Sequence, residues 1–347
     1  MFEIYVSEDY VGVRLDKFLW KQFPKVPKSH LFKLVRTKNL RLNDKRARPA
    51  QILAAGDIIR IRKPREALSA PVSTRETSST TPFSKTGPSK APPLCILHED
   101  DWILVIDKPA GMAVHPGSGI PHGTVVDFVR AYLGEKATRN GFSASPAHRL
   151  DKDTSGVLVV AKRRPAMVHF TKLLTEGKVR KRYFALVKGR MPSPRGKIEV
   201  ALVERQQTQA SKQKHGRRMQ EARTLWRQLE CQNECALLSV TLETGRTHQI
   251  RRHFSSWSRP VLGDTRYGDF AFNRLMKKRW GLNRMFLHAC ALEFAHPKDG
   301  EKMHICSKLP SELDMVLANM GFSSKHQLEL ESLDFGKKAS KEKKEER

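Results

Sequence analysis

Long apolar runs are missing: the longest, such as Val157 to Ala161 and Ile103 to Ile106, fall far short of the roughly 20 residues that span a bilayer. No membrane helix and no membrane partner is expected. The opening Met1-Phe2-Glu3-Ile4, with Glu8 and Asp9 close behind, lacks the basic start and apolar stretch of a secretory signal, so a cytoplasmic location is expected. Cysteine is sparse. Cys95, Cys231, Cys235, Cys290 and Cys306 are odd in number and scattered over 347 residues, unlike a disulfide-stapled framework, and are read as reduced thiols. Cys231 and Cys235 have no second Cys or His pair of metal-like spacing nearby, so two half-buried thiols near a turn are favoured over zinc. Acid is also short: 64 Lys and Arg face 36 Asp and Glu, a net charge of +28 that points to a polyanionic partner. At 39% hydrophobic the chain still buries an ordinary core, and its length suits a large domain with a smaller one.

Composition divides the chain. Residues 66–93 hold Ala70-Pro71, a Ser73 to Thr81 stretch with almost no apolar content, Gly87-Pro88 and Pro92-Pro93, and cannot bury enough surface to offset their ordering entropy. A flexible linker is expected there. Residues 336–347, five lysines and an arginine among three glutamates with no apolar stripe, read as a disordered tail. Residues 1–65 carry 16 Lys or Arg against six Asp or Glu. Leu15, Phe18, Leu19 and Trp20 follow the spacing of a short amphipathic helix. A second helix is expected from Ser29 as N-cap, with Leu31, Leu34 and Val35 inward and Lys33, Arg36 and Lys38 toward water. Short strands follow at Leu40 to Asn43 and Ile58 to Arg62. Two helices on a small sheet with an outer face of Lys and Arg suit RNA phosphates without reading sequence, although charge alone also fits a generic basic module.

From Leu94 onward, strand-like segments at Trp102 to Asp107, Val157 to Lys162, Tyr183 to Lys188, Thr224 to Leu229, Leu237 to Glu243 and Phe286 to Phe294 outnumber helical ones. Helical spacing appears at Val125, Phe128, Val129 and Tyr132 and again after Pro165. The class is α+β with a mostly antiparallel sheet.

The sharpest string is His148-Arg149-Leu150-Asp151-Lys152-Asp153-Thr154-Ser155-Gly156, leading straight into the apolar Val157 to Val160. Turn-forming residues before a buried strand place the Asp151 carboxylate at a sheet edge or cleft. A calcium loop would close with an acid at residue 162, which is Lys162. A phosphoaspartate enzyme would want its hydrophobic strand before the two aspartates, whereas here it comes after. A solvated turn needs no chemistry and, for this string alone, competes evenly with a catalytic reading. Further on, Thr244-Gly245-Arg246-Thr247-His248-Gln249-Ile250-Arg251-Arg252-His253 puts a turn before a helix with Ile250, Phe254 and Trp257 inward. Its arginines, histidine and amide cluster at a helix start, a place favourable to anions, with Arg252 read as solvated. Lys181 to Gly189 is an alternating strand whose Tyr183 is either ordinary core or a stacking surface for a base.

Two resemblances carry these pieces further. Gly12-Val13-Arg14-Leu15-Asp16-Lys17-Phe18-Leu19, Ser29, Leu40-Arg41-Leu42-Asn43 and Gly56-Asp57-Ile58-Ile59 resemble the S4 RNA-binding domain, departing from it at His30 and Lys38. Asp107-Lys108-Pro109-Ala110-Gly111-Met112-Ala113-Val114-His115-Pro116-Gly117, the His148 to Gly156 string, Lys181 to Gly189, Thr244 to His253, and Leu287-His288-Ala289 before Phe294-Ala295-His296-Pro297 are similar, in the same order, to the RluA-type pseudouridine synthases. The resemblance covers about residues 93–313, and the linker and a basic insert at Glu204 to Arg218 are unusual beside it.

The resemblance implies an α+β fold: a catalytic domain over 94–320 with a mixed, mostly antiparallel sheet and flanking helices, after a small α/β S4 domain at 1–65. It implies an isomerase that turns uridine into pseudouridine in RNA, most naturally large-subunit ribosomal RNA, with no cofactor and no metal, acting as a monomer. Asp151 matches the catalytic aspartate, Arg251 the arginine paired with it, and Tyr183 the aromatic that packs on the base. Arg149 matches the residue that fills the space left by the flipped nucleotide. Arg246, His248 and Gln249 are expected to touch RNA at the cleft, and Arg14, Lys17, Ser29, Lys33 and Arg36 on the S4 domain. His148 and Thr154 are expected to shape the loop, and Lys108 and His115 to be structural. The runner-up is a catalytically silent RNA-binding factor, against which Asp151, Tyr183 and Arg251 stand intact.

Overall fold

The computed structural model describes residues 1–23, 26–37, 39–62, 95–117, 120–139, 141–203 and 219–323. The expected linker at 66–93, the insert at 204–218 and the tail at 336–347 lie outside the described residues. Contacts divide the chain into two units, one drawn from Met1–Pro92, Val129–Ser145 and Ala161–His169, the other from Pro93–Phe128, Pro146–Val160 and Phe170–Arg347.

In the N-terminal body, β1 (Phe2–Tyr5), β4 (Ile58–Ile61), β2 (Leu40–Leu42) and β3 (Lys45–Arg46) lie in that order in an antiparallel sheet. With it belong helices α1 (Leu15–Gln22) and α2 (Lys28–Arg36). Leu15, Phe18 and Leu19 of α1 and Leu31, Leu34 and Val35 of α2 share one core with Leu40, Ile59 and Ile61. Three expectations shift. Trp20 is 46% exposed rather than inward, because at 100° per residue it turns off the stripe set by Leu15, Phe18 and Leu19. Ser29 is not the N-cap of α2: Pro27 holds that place, its carbonyl accepting from the N–H of His30 and Leu31. Strand β2 stops before Asn43, because Asn43 and Asp44 take φ of 49° and 61° in the two-residue hairpin to β3, where such values match the sheet's twist.

The larger sheet runs β12 (Arg195–Glu199), β15 (Arg223–Gln232), β16 (Cys235–Leu242), β11 (Arg180–Lys188), β17 (Leu287–Ala295), β10 (Ser155–Ala161), β6 (Ile103–Lys108) and β5 (Cys95–Glu99). Strand β18 (Lys302–Cys306) pairs with β17, and β9 (Ser145–Pro146) with β10. The pairs β12–β15, β15–β16, β16–β11, β11–β17, β17–β18 and β5–β6 are antiparallel, whereas β10 and β17 run parallel at Ser155↔His288 and Gly156↔Ala289. The mixed, mostly antiparallel sheet and its helices are the α+β class expected. The helices are α3 (Val125–Leu133), α4 (Arg164–Thr175), α5 (Gln249–Ser256), α6 (Phe270–Trp280) and α7 (Ser311–Asn319).

Every residue of β10 is buried, which is why Val157 to Val160 reads as a continuous apolar run rather than an alternation. Asp151 therefore precedes an interior strand, not an edge strand. Gly156 makes the approach of β10 to β17 possible: its φ is +115°, and a Cβ there would lie 2.2 Å from the Ala289 carbonyl oxygen. Opposite Tyr183, β17 has one residue more than β11, a bulge between Arg182 and Phe184 that re-aims side chains locally. Cys231 and Cys235 flank the β15–β16 turn, half-buried and buried, and among the described residues no cluster of His, Cys, Asp or Glu could hold a metal. No helix among the described residues is long and apolar enough to cross a membrane.

Candidate active site

The loop between β9 and β10 carries Asp151, and ties from three directions hold it. His148 Nε2 accepts from the Val159 N–H at 3.1 Å, and its ring stacks on Phe170 with centroids 6.4 Å apart. Burial lowers the imidazole to about 4, so it is neutral, as an acceptor must be. Lys108, fully buried, donates from Nζ to the carbonyls of Pro109, Met112 and Lys152 at 2.7, 2.9 and 3.0 Å, joining the end of β6 to the residue after Asp151. Burial brings this amine down to about 7. Ser155 Oγ donates to His288 Nδ1 at 2.9 Å and accepts from Arg284 Nη2 at 2.8 Å, while His288 Nε2 donates to the Ser307 carbonyl. The Thr154 N–H also closes a turn on the Asp151 carbonyl at 3.1 Å.

So held, Asp151 lines a cleft of about 620 Å³ together with Arg149, Lys181, Tyr183, Arg246 and Arg251. Its Oδ2 accepts from Arg251 Nη1 at 3.0 Å, and its Oδ1 lies 3.9 Å from His248 Nε2. Arg251 stands in the first turn of α5 and is buried. Burial acts to lower its guanidinium, but bonds to Asp264 and then Asp151 outweigh that and hold it above its ordinary value. Asp264, fully buried, takes Arg251 Nε and Nη2 at 2.7 and 2.9 Å and also the N–H of Arg266 and Tyr267. Those bonds overcome burial and lower its carboxyl. Tyr183 is 7% exposed; burial, and next the charge of Asp151, raise its phenol, which stays protonated. A carboxylate with one oxygen fixed by a guanidinium and the other facing a cleft beside a protonated phenol can act on a nucleoside held there.

The other expected contacts divide. Arg149 and Arg246 are exposed and line the cleft, Arg246 also donating to the Glu221 carbonyl. His248, the N-cap of α5, takes φ 54° and meets the Tyr267 hydroxyl through Nδ1 at 3.1 Å; burial lowers its imidazole. Gln249 departs from expectation. It is 2% exposed, its amide oxygen accepts from Thr244 Oγ1 and the Arg246 N–H, and its nitrogen donates to Arg223 and Thr224. The amide is consumed in building the wall and has nothing left for RNA. Arg252 is also not simply solvated: half-buried, it donates to the Val203 carbonyl at 3.2 Å. On the N-terminal body Arg14, Lys17, Ser29, Lys33 and Arg36 are all exposed, with Arg14 engaged by Asp16 at 2.6 Å.

Sequence reasoning passed over Asp264, Tyr267 and Lys181. Tyr267 lies against Arg251 and Arg266, with guanidinium carbons 5.1 and 5.2 Å from its ring centroid. A signal for the turn existed in Gly263-Asp264 and Tyr267-Gly268: a Cβ at 263 or 268 would press within 2.1 or 2.2 Å of a backbone oxygen, so the acid sits in a turn only glycines allow. Lys181 was legible from alternation, two residues before Tyr183 and hence on its face.

A profile of the RNA pseudouridylate synthase family matches residues 102–256, and one of the S4 domain matches residues 13–59. The chain is 37% identical over 319 residues to the ribosomal large subunit pseudouridine synthase C of Escherichia coli strain K12, covering 91% of this chain and 95% of that protein. To the ribosomal large subunit pseudouridine synthase C of Buchnera aphidicola it is 36% identical over 310 residues, covering 88% and 93%. Among solved structures it is similar to human RNA pseudouridylate synthase domain containing 4, at 26% identity and a TM-score of 0.53 over 65% of this chain and 93% of that one.

Proposed function

The chain belongs to the RNA pseudouridylate synthases, isomerases that act on RNA, and from that premise we propose that it converts uridine in large-subunit ribosomal RNA with Asp151 as the acting carboxylate. The reaction breaks the N1–C1′ bond, turns the uracil while it is held and joins C5 to C1′; the C5 proton leaves and N1 gains one, so no oxidant or group donor enters. Attack at C1′ and proton abstraction from the sugar both need an anionic carboxylate. The observation that carries the assignment is the 3.0 Å pair of Asp151 with Arg251 inside a cleft of about 620 Å³. That volume suits one extruded nucleoside, small-ligand sites being roughly 300–1,000 Å³.

Extrusion costs a few kcal/mol of stacking. Arg149, exposed and two residues before Asp151, is the side chain to occupy the vacated space. Tyr183 packs against the uracil, its phenol protonated at rest and able to donate a hydrogen bond. Lys181 and Arg246 take the phosphates beside the target nucleotide, and Lys17, Lys33 and Arg36 hold RNA further along. Binding alone would gain nothing from a carboxylate set in a groove for polyanions, which favours chemistry over a silent scaffold.

The substrate is tested by mapping pseudouridine in total RNA from cells with and without the gene. Loss of one or more sites in large-subunit ribosomal RNA is expected; an unchanged ribosomal map with sites lost elsewhere would replace the substrate.

A further inference from the structure

Trp20 and Phe32 are 46% and 47% exposed on helices that bury their other large apolar side chains. They face a pocket of about 240 Å³ between α1 and α2, floored by the buried Leu19, Leu31 and Val35. The rim is cationic. Lys17 and Lys28 are exposed there, and Lys28 Nζ sits 3.4 Å from the Trp20 ring centroid. The acid that lines the pocket, Asp16, is taken up by Arg14 at 2.6 Å and by the Lys17 N–H at 2.7 Å, so it does not repel a phosphate with a free oxygen pair.

We propose that this pocket binds one unpaired nucleobase of the RNA, stacked on Trp20 beside Phe32, with Lys17 and Lys28 on the flanking phosphates. The proposal rests on the reading of the chain as an enzyme acting on RNA, and adds a second base-binding site that performs no chemistry. A base is the occupant that fits both halves of the pocket. An apolar peptide would cover the rings but strip water from two ammonium groups without compensation. A nucleotide brings a π face for the indole and an anion for the lysines; as the base arrives, the flexible Lys28 leaves the ring for the phosphate. Paired bases lie inside the duplex stack, so only a bulge, loop or end can present such a face. Residues 1–65, with 16 basic side chains against six acidic, draw the backbone near.

The test uses the full chain and two uridine-free hairpin RNAs that differ by one bulged 2-aminopurine. Wild type is expected to bind the bulged RNA more tightly than the paired one and to quench the 2-aminopurine. Trp20→Ala and Phe32→Ala should each cut affinity for the bulged RNA about tenfold, in the range of one lost base stack, with paired RNA unaffected. Trp20→Phe should keep most of the preference. Lys28→Met should lower the slope of log affinity against log salt by about one, which Trp20→Ala leaves unchanged. A wild-type ratio of bulged to paired affinity in Trp20→Ala, with quenching intact, overturns the proposal and would leave the pocket to a protein partner. Pseudouridine formation on a uridine-bearing RNA, read on the same wild-type preparation, separates the two claims: its absence would sink the enzymatic reading without touching bulge-dependent binding.

Discussion

Arg251 is shared between two carboxylates: Nε and Nη2 meet Asp264 at 2.7 and 2.9 Å, and Nη1 meets Asp151 at 3.0 Å. Asp264 thereby fixes the guanidinium plane and leaves Nη1 to face the acting acid. Asp264→Asn should lower kcat by about 10²-fold, the effect of misplacing a reacting group by about 1 Å, with KM for RNA nearly unchanged. It should also lose stability, by about 3 kcal/mol at most, because the buried cation loses the charge of one of its two carboxylate partners while keeping Asp151. Single-turnover rates beside RNA affinities check this; a change confined to affinity would contradict it.

Lys181 lines the cleft on the face of Tyr183, and burial lowers its ammonium, so a phosphate would restore what desolvation takes away. Lys181→Met should raise KM about tenfold, with kcat within about threefold, and reduce the salt slope of binding by about one. Lys181→Arg should recover most of the affinity. A fall in kcat alone, with KM unchanged, would assign Lys181 to chemistry instead.

Gly156→Ala should fail for two reasons at once, a φ of +115° and a Cβ 2.2 Å from the Ala289 carbonyl oxygen. Relief requires β10 and β17 to part beneath the Asp151 loop, which should cost more than about 3 kcal/mol. Gly281→Ala, also at positive φ but with nothing within 4 Å, should cost only about 1 kcal/mol. Thermal melts of the two variants make the comparison.

Burial holds His288 at about 4, below its ordinary 6.5. Between those values the unfolded chain binds the proton more readily, so stability present above pH 6.5 is lost as the pH falls through about 4. His288→Gln retains an acceptor for Ser155 and a donor for the Ser307 carbonyl but cannot titrate. Across that window its stability should fall less than wild type's by roughly 3 kcal/mol. Denaturant midpoints from pH 7 to 4 measure the difference; parallel curves would show that another group carries the acid sensitivity.

What could be read in the sequence was what periodicity and local chemistry encode. The unbroken Val157 to Val160 announced a buried strand, the strings around Asp151 and Arg251 announced a site, and the structure brings those two residues, 100 apart in the chain, to 3.0 Å. Gln249 looked like a free amide because nothing local says that Thr224, on a distant strand, will consume it. Trp20 groups in sequence with the amphipathic spacing of Leu15, Phe18 and Leu19, but at 100° per residue its angle around α1 carries it off their stripe. Asp264 escaped notice because its meaning lies in a partner 13 residues away. The bulge opposite Tyr183 leaves no local mark, since it arises from how two strands register.

The central claim is that the Asp151 carboxylate does the chemistry. Asp151→Asn keeps the side chain's size and an acceptor for Arg251 Nη1 while removing the charge. Pseudouridine formed in a ribosomal RNA fragment under single-turnover conditions should disappear in this variant, with RNA affinity within about twofold of wild type. Conversion at the wild-type rate by Asp151→Asn would contradict the account.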